Sequence, residues 1–195
     1  MKKIIILLVS ISTISIAQGQ GTIKIDTAKS VIKWKGSNLF KFNQHYGTVK
    51  FSSGEISMNE DGISGGKFVV DMNSIMNTDG KYNEMLVSHL KHKDFFNVEK
   101  FPLAKLEIHQ IKHADNGQME IDALLTIKGI SRPIKFSSTW EKGPNETMLK
   151  SKFIMDRTRW GISYESKGII GSVKDDIISD AVEFEVILVF GFRGC

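Results

Sequence analysis

The stretch Val182-Glu183-Phe184-Glu185-Val186-Ile187-Leu188-Val189-Phe190 decides the fold. In an extended chain Val182, Phe184, Val186, Leu188 and Phe190 share one face, and Glu183 and Glu185 take the other. Strand side chains alternate, so the pattern predicts a strand with one dry and one wet face; the two glutamates argue against a membrane span. The same period of two recurs upstream. Ile32 and Trp34 oppose Lys33 and Lys35; Val49 and Phe51 oppose Thr48, Lys50 and Ser52. Phe68, Val70 and Met72 form a third set, Leu106 and Ile108 a fourth, and Met119, Ile121, Ala123, Leu125 and Ile127 a fifth. Ile134, Phe136 and Trp140 then alternate with Lys135, Ser137, Thr139 and Glu141.

Turn residues punctuate these runs. Asn59-Glu60-Asp61-Gly62, Asp115-Asn116-Gly117, Lys128-Gly129 and Gly143-Pro144-Asn145-Glu146 each lie between alternating segments, as antiparallel hairpins in series require. The fold class is therefore all-β, of about eight antiparallel strands. Such strands close into a barrel or stack as a sandwich, because open edges invite aggregation. A barrel of that size is either filled by side chains or holds one small ligand, and residue counts do not decide between the two.

One segment departs from period two. Between Asp79 and Leu90 the residues Tyr82, Met85, Leu86 and Leu90 fall at helical spacing, with Thr78 or Asp79 as the expected N-cap. Phe95, Phe96 and Phe101 follow, and Pro102 separates this insert from the next strand. The expectation is one helix with an apolar tail, lying over one end of the sheet. No linker or change of composition interrupts residues 20–190, so one domain, residues 18–195, is expected.

The first residues have the form of a secretory signal peptide. Lys2 and Lys3 precede an apolar run to Ile16, and Ser15 and Ala17 stand at the −3 and −1 positions of a cut before Gln18. Residues 1–17 are thus expected to be removed on export, and no cysteine follows to carry a lipoprotein anchor. The one cysteine, Cys195, excludes an internal disulfide and a cysteine zinc framework. The 195-residue chain carries 26 basic and 22 acidic side chains, net +4; without Lys2 and Lys3 the charge is +2, too near neutral to imply a nucleic-acid partner.

Chemical motifs are sparse. Gly62-Ile63-Ser64-Gly65-Gly66 has the spacing of a hydrolase nucleophile elbow, but that elbow needs a strand before it and a helix after it, whereas here a turn precedes and a strand follows. His89 and His92 stand three apart with Asp94 beyond, and no third ligand of fixed spacing accompanies them. No metal, cofactor or catalytic residue is expected; His89 with Asp94 is the pair a catalytic reading would use.

The order of certain residues resembles the YceI-like family of exported bacterial proteins, described as polyisoprenoid-binding and lipocalin-like. The resemblance lies in Asp71-Met72-Asn73-Ser74-Ile75, Thr78-Asp79, His89-Leu90, Asp94-Phe95-Phe96, Phe101-Pro102, Leu125 to Ile130 and Arg132-Pro133. It closes with Asp156-Arg157-Thr158 and Trp160-Gly161-Ile162. It implies an antiparallel lipocalin-like barrel, in the periplasm or secreted by a Gram-negative bacterium, that binds or transports a long isoprenoid lipid, a polyprenyl chain or an isoprenoid quinone, without catalysis. It leaves open transient membrane contact and a homodimer. On that reading Trp34, Phe51, Phe68, Leu125, Ile127, Phe136, Phe153 and Phe184 are wall candidates, with ordinary core packing as the alternative for each. Met85, Leu86, His89, Leu90, Phe95 and Phe96 are the candidate lid and mouth. Arg157 either pins a loop through a carboxylate such as Asp94 or Asp71, or meets a lipid head group. One departure stands out: a family histidine is replaced by Lys29, ahead of Ser30-Val31-Ile32-Lys33-Trp34, which would alter the head-group chemistry if that position met the ligand.

Overall fold

The computed structural model describes residues 21–39, 43–80, 82–114, 117–166 and 177–191. The expected leader, Asp115-Asn116 and Cys195 lie outside the described residues. Among the described residues nine strands follow in chain order: β1 (Gly21–Lys24), β2 (Val31–Ser37), β3 (Gln44–Asn59), β4 (Gly62–Asn77), β5 (Leu103–His113), β6 (Gln118–Ile127), β7 (Ile130–Lys142), β8 (Thr147–Asp156) and β9 (Ala181–Phe190). Helix α1 (Asn83–Lys91) joins β4 to β5, and a 3-10 turn, Arg157–Trp160, follows β8.

Every ladder between named strands is antiparallel, and β3–β4 pairing together with β2–β9 pairing closes an eight-stranded barrel. The ninth strand adds no new position around the ring. β1 pairs with Glu55–Met58 and β2 with Gln44–Val49, both along β3, so the two lie end to end as one interrupted strand. At the interruption Asp26 Oδ1 accepts the amides of Ala28 and Lys29, and Ser30 Oγ accepts the Val189 amide, satisfying backbone groups that the broken ladder would otherwise strand.

The hairpin turns fall where the Gly, Asn and Asp clusters stand. Lys128 and Gly129 both take positive φ, 53° and 75°, the twist a two-residue hairpin favours, between the paired Ile127 and Ile130. β3 and β4 run for 16 residues each and slip register at Thr48/Lys50, Phe51/Ser53 and Ser57/Met58; such bulges bend strands enough to wrap a barrel. Outside, charges meet across neighbouring strands: Lys33–Glu185 at 3.2 Å, Lys67–Glu107 at 2.9 Å and Lys135–Asp122 at 2.9 Å.

One end of the barrel is solid. Ile56, Ile63, Met119 and Phe190 are fully buried there, beneath the β3–β4 and β7–β8 turns. The other end carries α1, the 3-10 turn and the segment around Ile178. The helix begins later than its spacing predicts: Tyr82, in the left-handed region at φ 52°, is the N-cap in place of Thr78 or Asp79. Asp79 is held elsewhere, its carboxylate 2.7 Å from His45 Nδ1 and accepting from Asn77 Nδ2, while Gly80 turns the chain at φ 79°.

Candidate functional site: an apolar bore beneath a helical lid

Between the solid end and the lid the barrel is hollow. The cavity has a volume of about 410 Å³, and its wall is almost entirely hydrocarbon. The interior, which residue counts leave undecided, is thus hollow at this level of the barrel.

The wall follows from strand register. Phe153 on β8 is paired with Phe184 on β9, and Phe184 with Trp34 on β2. Phe136 on β7 completes the row, its ring 5.1 Å from that of Phe153, and the Phe153 and Phe184 rings lie 5.4 Å apart. Four consecutive strands thus place aromatic rings in a belt, at spacings typical of favourable ring contacts. Across the bore Phe51 and Phe68 meet edge to face at 6.2 Å. Leu125 and Ile127 from β6 also face the cavity, so all eight wall candidates line it. Their aliphatic neighbours at i±2, such as Ile32, Val70, Met155 and Val186, line it too, and strand alternation alone would have found them. Ser151 was not legible that way. Its hydroxyl is paired with that of Ser138, which allows a polar residue on a dry wall.

At the lid, Leu86, His89, Leu90, Phe95 and Phe96 face the cavity. Met85 does not. It is 67% exposed on the outer face of α1 and is withdrawn from the lid set, because one position away from Leu86 on a helix turns a side chain by about 100°. His89 and His92 do not converge either. The His89 ring packs 4.5 Å from Tyr164, whereas His92, the residue after the helix, pairs with Asp94 at 3.0 Å in solvent. The His89–Asp94 pair is therefore not assembled. Among the described residues no group of three His, Cys, Asp or Glu side chains is placed to hold a metal. Ser64 lies within β4, without the helix that a nucleophile elbow needs.

Arg157 is completely buried, and neither Asp94 nor Asp71 is its partner. Its guanidinium donates to the backbone carbonyls of Ser179, Ile162 and Ile178 at 2.9–3.1 Å. Asp180 Oδ1 lies 3.5 Å away, close enough to offset charge, and the Phe95 ring stands 5.6 Å from the guanidinium carbon. Burial pulls its pKa below the usual arginine value, and the negative charges of Asp180, Asp156 and Glu165 oppose that pull. Arg157 thus clamps the 3-10 turn to the segment at 178–180 and props a lid ring. Lys29 is remote from the bore. It reaches Glu146 at 2.6 Å, on the β7–β8 turn at the solid end, so its exchange for histidine does not change the cavity wall.

A polar fringe that sequence reasoning missed lies near the lid: Ser37, Asn38, Asn43 and His45 line the cavity where β2 and β3 meet. They follow one another across the β2–β3 connection, a position that carries no apolar period to read.

Comparison with known proteins agrees with this architecture. A UPF0312 protein of Shewanella denitrificans is 31% identical over 94 residues, a match covering 48% of this chain and 44% of that relative's length. BcnA of Burkholderia cenocepacia superposes with a TM-score of 0.69 at 19% identity, over 85% of this chain and 98% of its own. A polyisoprenoid-binding domain from Saccharophagus degradans, implicated in plant cell wall breakdown, gives 0.62 at 11% identity over 89% and 99%. At these identities the structural likeness is one of fold. The sequence itself matches the YceI-like domain over residues 23–190, from β1 to the end of β9, and the chain belongs to that family.

Proposed function

We propose that this protein is a non-catalytic carrier of a long apolar lipid of the isoprenoid class, a polyprenyl chain or an isoprenoid quinone. On this reading the leader at residues 1–17 directs it to the periplasm or the exterior, and release follows movement of α1 and its tail. The observation that carries the reading is the bore itself: about 410 Å³ of hydrocarbon-lined space in a barrel otherwise packed tight. Each methylene transferred into it is worth about 0.8 kcal/mol. Burying about fifteen would supply ~12 kcal/mol, comparable with the cost of immobilising a guest, so a bound chain needs length more than polar contacts. The Saccharophagus degradans neighbour is a polyisoprenoid-binding domain, and the same fold around a greasy bore supports a guest of that class here.

Arg157 and His45 are engaged in structural contacts, which favours binding over turnover. The test is organic extraction of protein purified without detergent, with native mass spectrometry of the intact species. A co-purifying isoprenoid is the expected result. Apoprotein alone, together with no uptake of added isoprenoid, would overturn the reading.

A further inference from the structure

We infer that the guest carries an uncharged hydrogen-bond acceptor, a carbonyl, ester or ether oxygen, which receives the indole N–H of Trp34 within the bore. This rests on the carrier reading above and specifies the chemistry of its ligand. Trp34 is 8% exposed and its Nε1 is buried with no hydrogen-bond partner, although an indole N–H is a donor only and is normally paired when buried. The contrast with Trp160 is direct, since that residue is fully buried and donates to the Leu125 carbonyl at 3.0 Å. Trp34 stands in the cavity wall, at the level of the Phe184 belt. The neighbouring position on β3 is Gly47, whose missing side chain lets the indole lean across that strand. On the lid, His89 Nε2 is a second buried polar atom without a partner in the same wall.

The charge on the guest follows from the cations around it. Among the described residues the lining contains Arg157 and Lys105. Arg157 gives three of its five N–H groups to backbone carbonyls and has Asp180 as its counter-charge, and Lys105 belongs to an exposed position of β5. His45 is paired with Asp79. A diphosphate drawn to the level of Trp34 would lose its hydration without gaining a counter-charge, whereas a neutral oxygen loses little and satisfies the indole.

The experiment compares farnesyl acetate, farnesane and farnesyl diphosphate as ligands for the native protein and for Trp34→Phe. It follows the ¹⁵N–¹H indole resonances of the native protein as each ligand is added. Farnesyl acetate is expected to move the Trp34 indole resonance downfield and leave that of Trp160 in place, and Trp34→Phe is expected to weaken the acetate about three- to tenfold with farnesane unchanged. A stationary Trp34 resonance on saturation with acetate, or equal losses for acetate and farnesane, overturns the inference while farnesane binding upholds the carrier. Tightest binding by the diphosphate overturns its uncharged part. Failure of all three ligands to bind the native protein removes the carrier reading and this inference with it. The resonance of the native protein decides the matter even if Trp34→Phe does not fold.

Discussion

The Trp34 indole lies over Gly47 on the neighbouring strand, so that a methyl group built on Gly47 would stand 2.8 Å from Trp34 Cζ2 and 1.8 Å from the Met76 carbonyl oxygen. No rotation of one flexible side chain relieves both, because the second obstacle is backbone. The widest aromatic of the belt therefore owes its place to an absent side chain.

Gly47→Ala should destabilise the barrel by about 1–3 kcal/mol, the usual range for overpacking. Gly54→Ala, which meets Ile25 and Phe68 at 2.7 Å, should fall in the same range. Gly36→Ala, with open space around its added methyl, should change stability by about 0.5–1 kcal/mol at most. Urea unfolding midpoints of the three variants check the order; Gly36→Ala as the most damaging would contradict it.

Arg157→Met strands three carbonyls, that of Ile162 buried and those of Ile178 and Ser179 partly so, leaves Asp180 without its counter-charge, and should cost about 3–5 kcal/mol. Arg157→Lys should not restore it, because an ammonium lacks the planar fork that reaches Ser179, Ile162 and Ile178 together. Denaturant unfolding, with hydrogen exchange at Ile162 and Ile178, gives the measurement. Full recovery by lysine would show that charge alone matters at this position.

The two faces of α1 should respond differently. Leu90→Ala removes a buried lid residue and should cost about 2–4 kcal/mol while speeding release of a bound chain. Met85→Ala on the solvent face should stay within about 0.5 kcal/mol and leave release unchanged. Stopped-flow displacement of a fluorescent fatty chain separates the two, and equal rates would remove α1 from the gate.

Acid should act weakly. The hydrogen bond from Lys33 lowers the pKa of Glu185 against partial burial, with the charges of Lys33 and Lys152 adding to it, and the hydrogen bond from Lys67 lowers that of Glu107. A carboxylate whose folded pKa is depressed contributes stability above its unfolded pKa and loses it as pH falls through the folded value. The thermal midpoint should therefore hold steady down to about pH 5 and decline below it. The decline should be shallow because these pairs are exposed, and Glu185→Gln should flatten it further. A midpoint that rose on acidification would contradict the sign.

Much of the barrel was legible in every second residue. Val182 to Phe190 emerged as a strand because its partition into wet and dry faces is a local property. Strand β8 was harder to see. Its inward residues include Thr147 and Ser151, and only the tertiary pairing of Ser151 with Ser138 makes a hydroxyl acceptable there. Strand β1 is four residues long and largely exposed, so no apolar period marked it. The helix start was misplaced because Asp79, a good N-cap by type, is held by His45, a residue 34 positions earlier in the chain. Arg157 donates to backbone carbonyls rather than to Asp94 or Asp71, and carbonyls leave no trace in side-chain identity.

By itself the sequence determined which residues face inward, where the hairpins turn and that one helix interrupts the strands, since each depends on neighbours a few positions apart. Tertiary structure decided that Phe136, Phe153, Phe184 and Trp34 share one level, because register sums over ladders between distant segments. It also decided that the interior is hollow. The girth of a closed barrel follows from strand number and stagger, and inward side chains fill that space only at the end where Ile56, Ile63, Met119 and Phe190 meet.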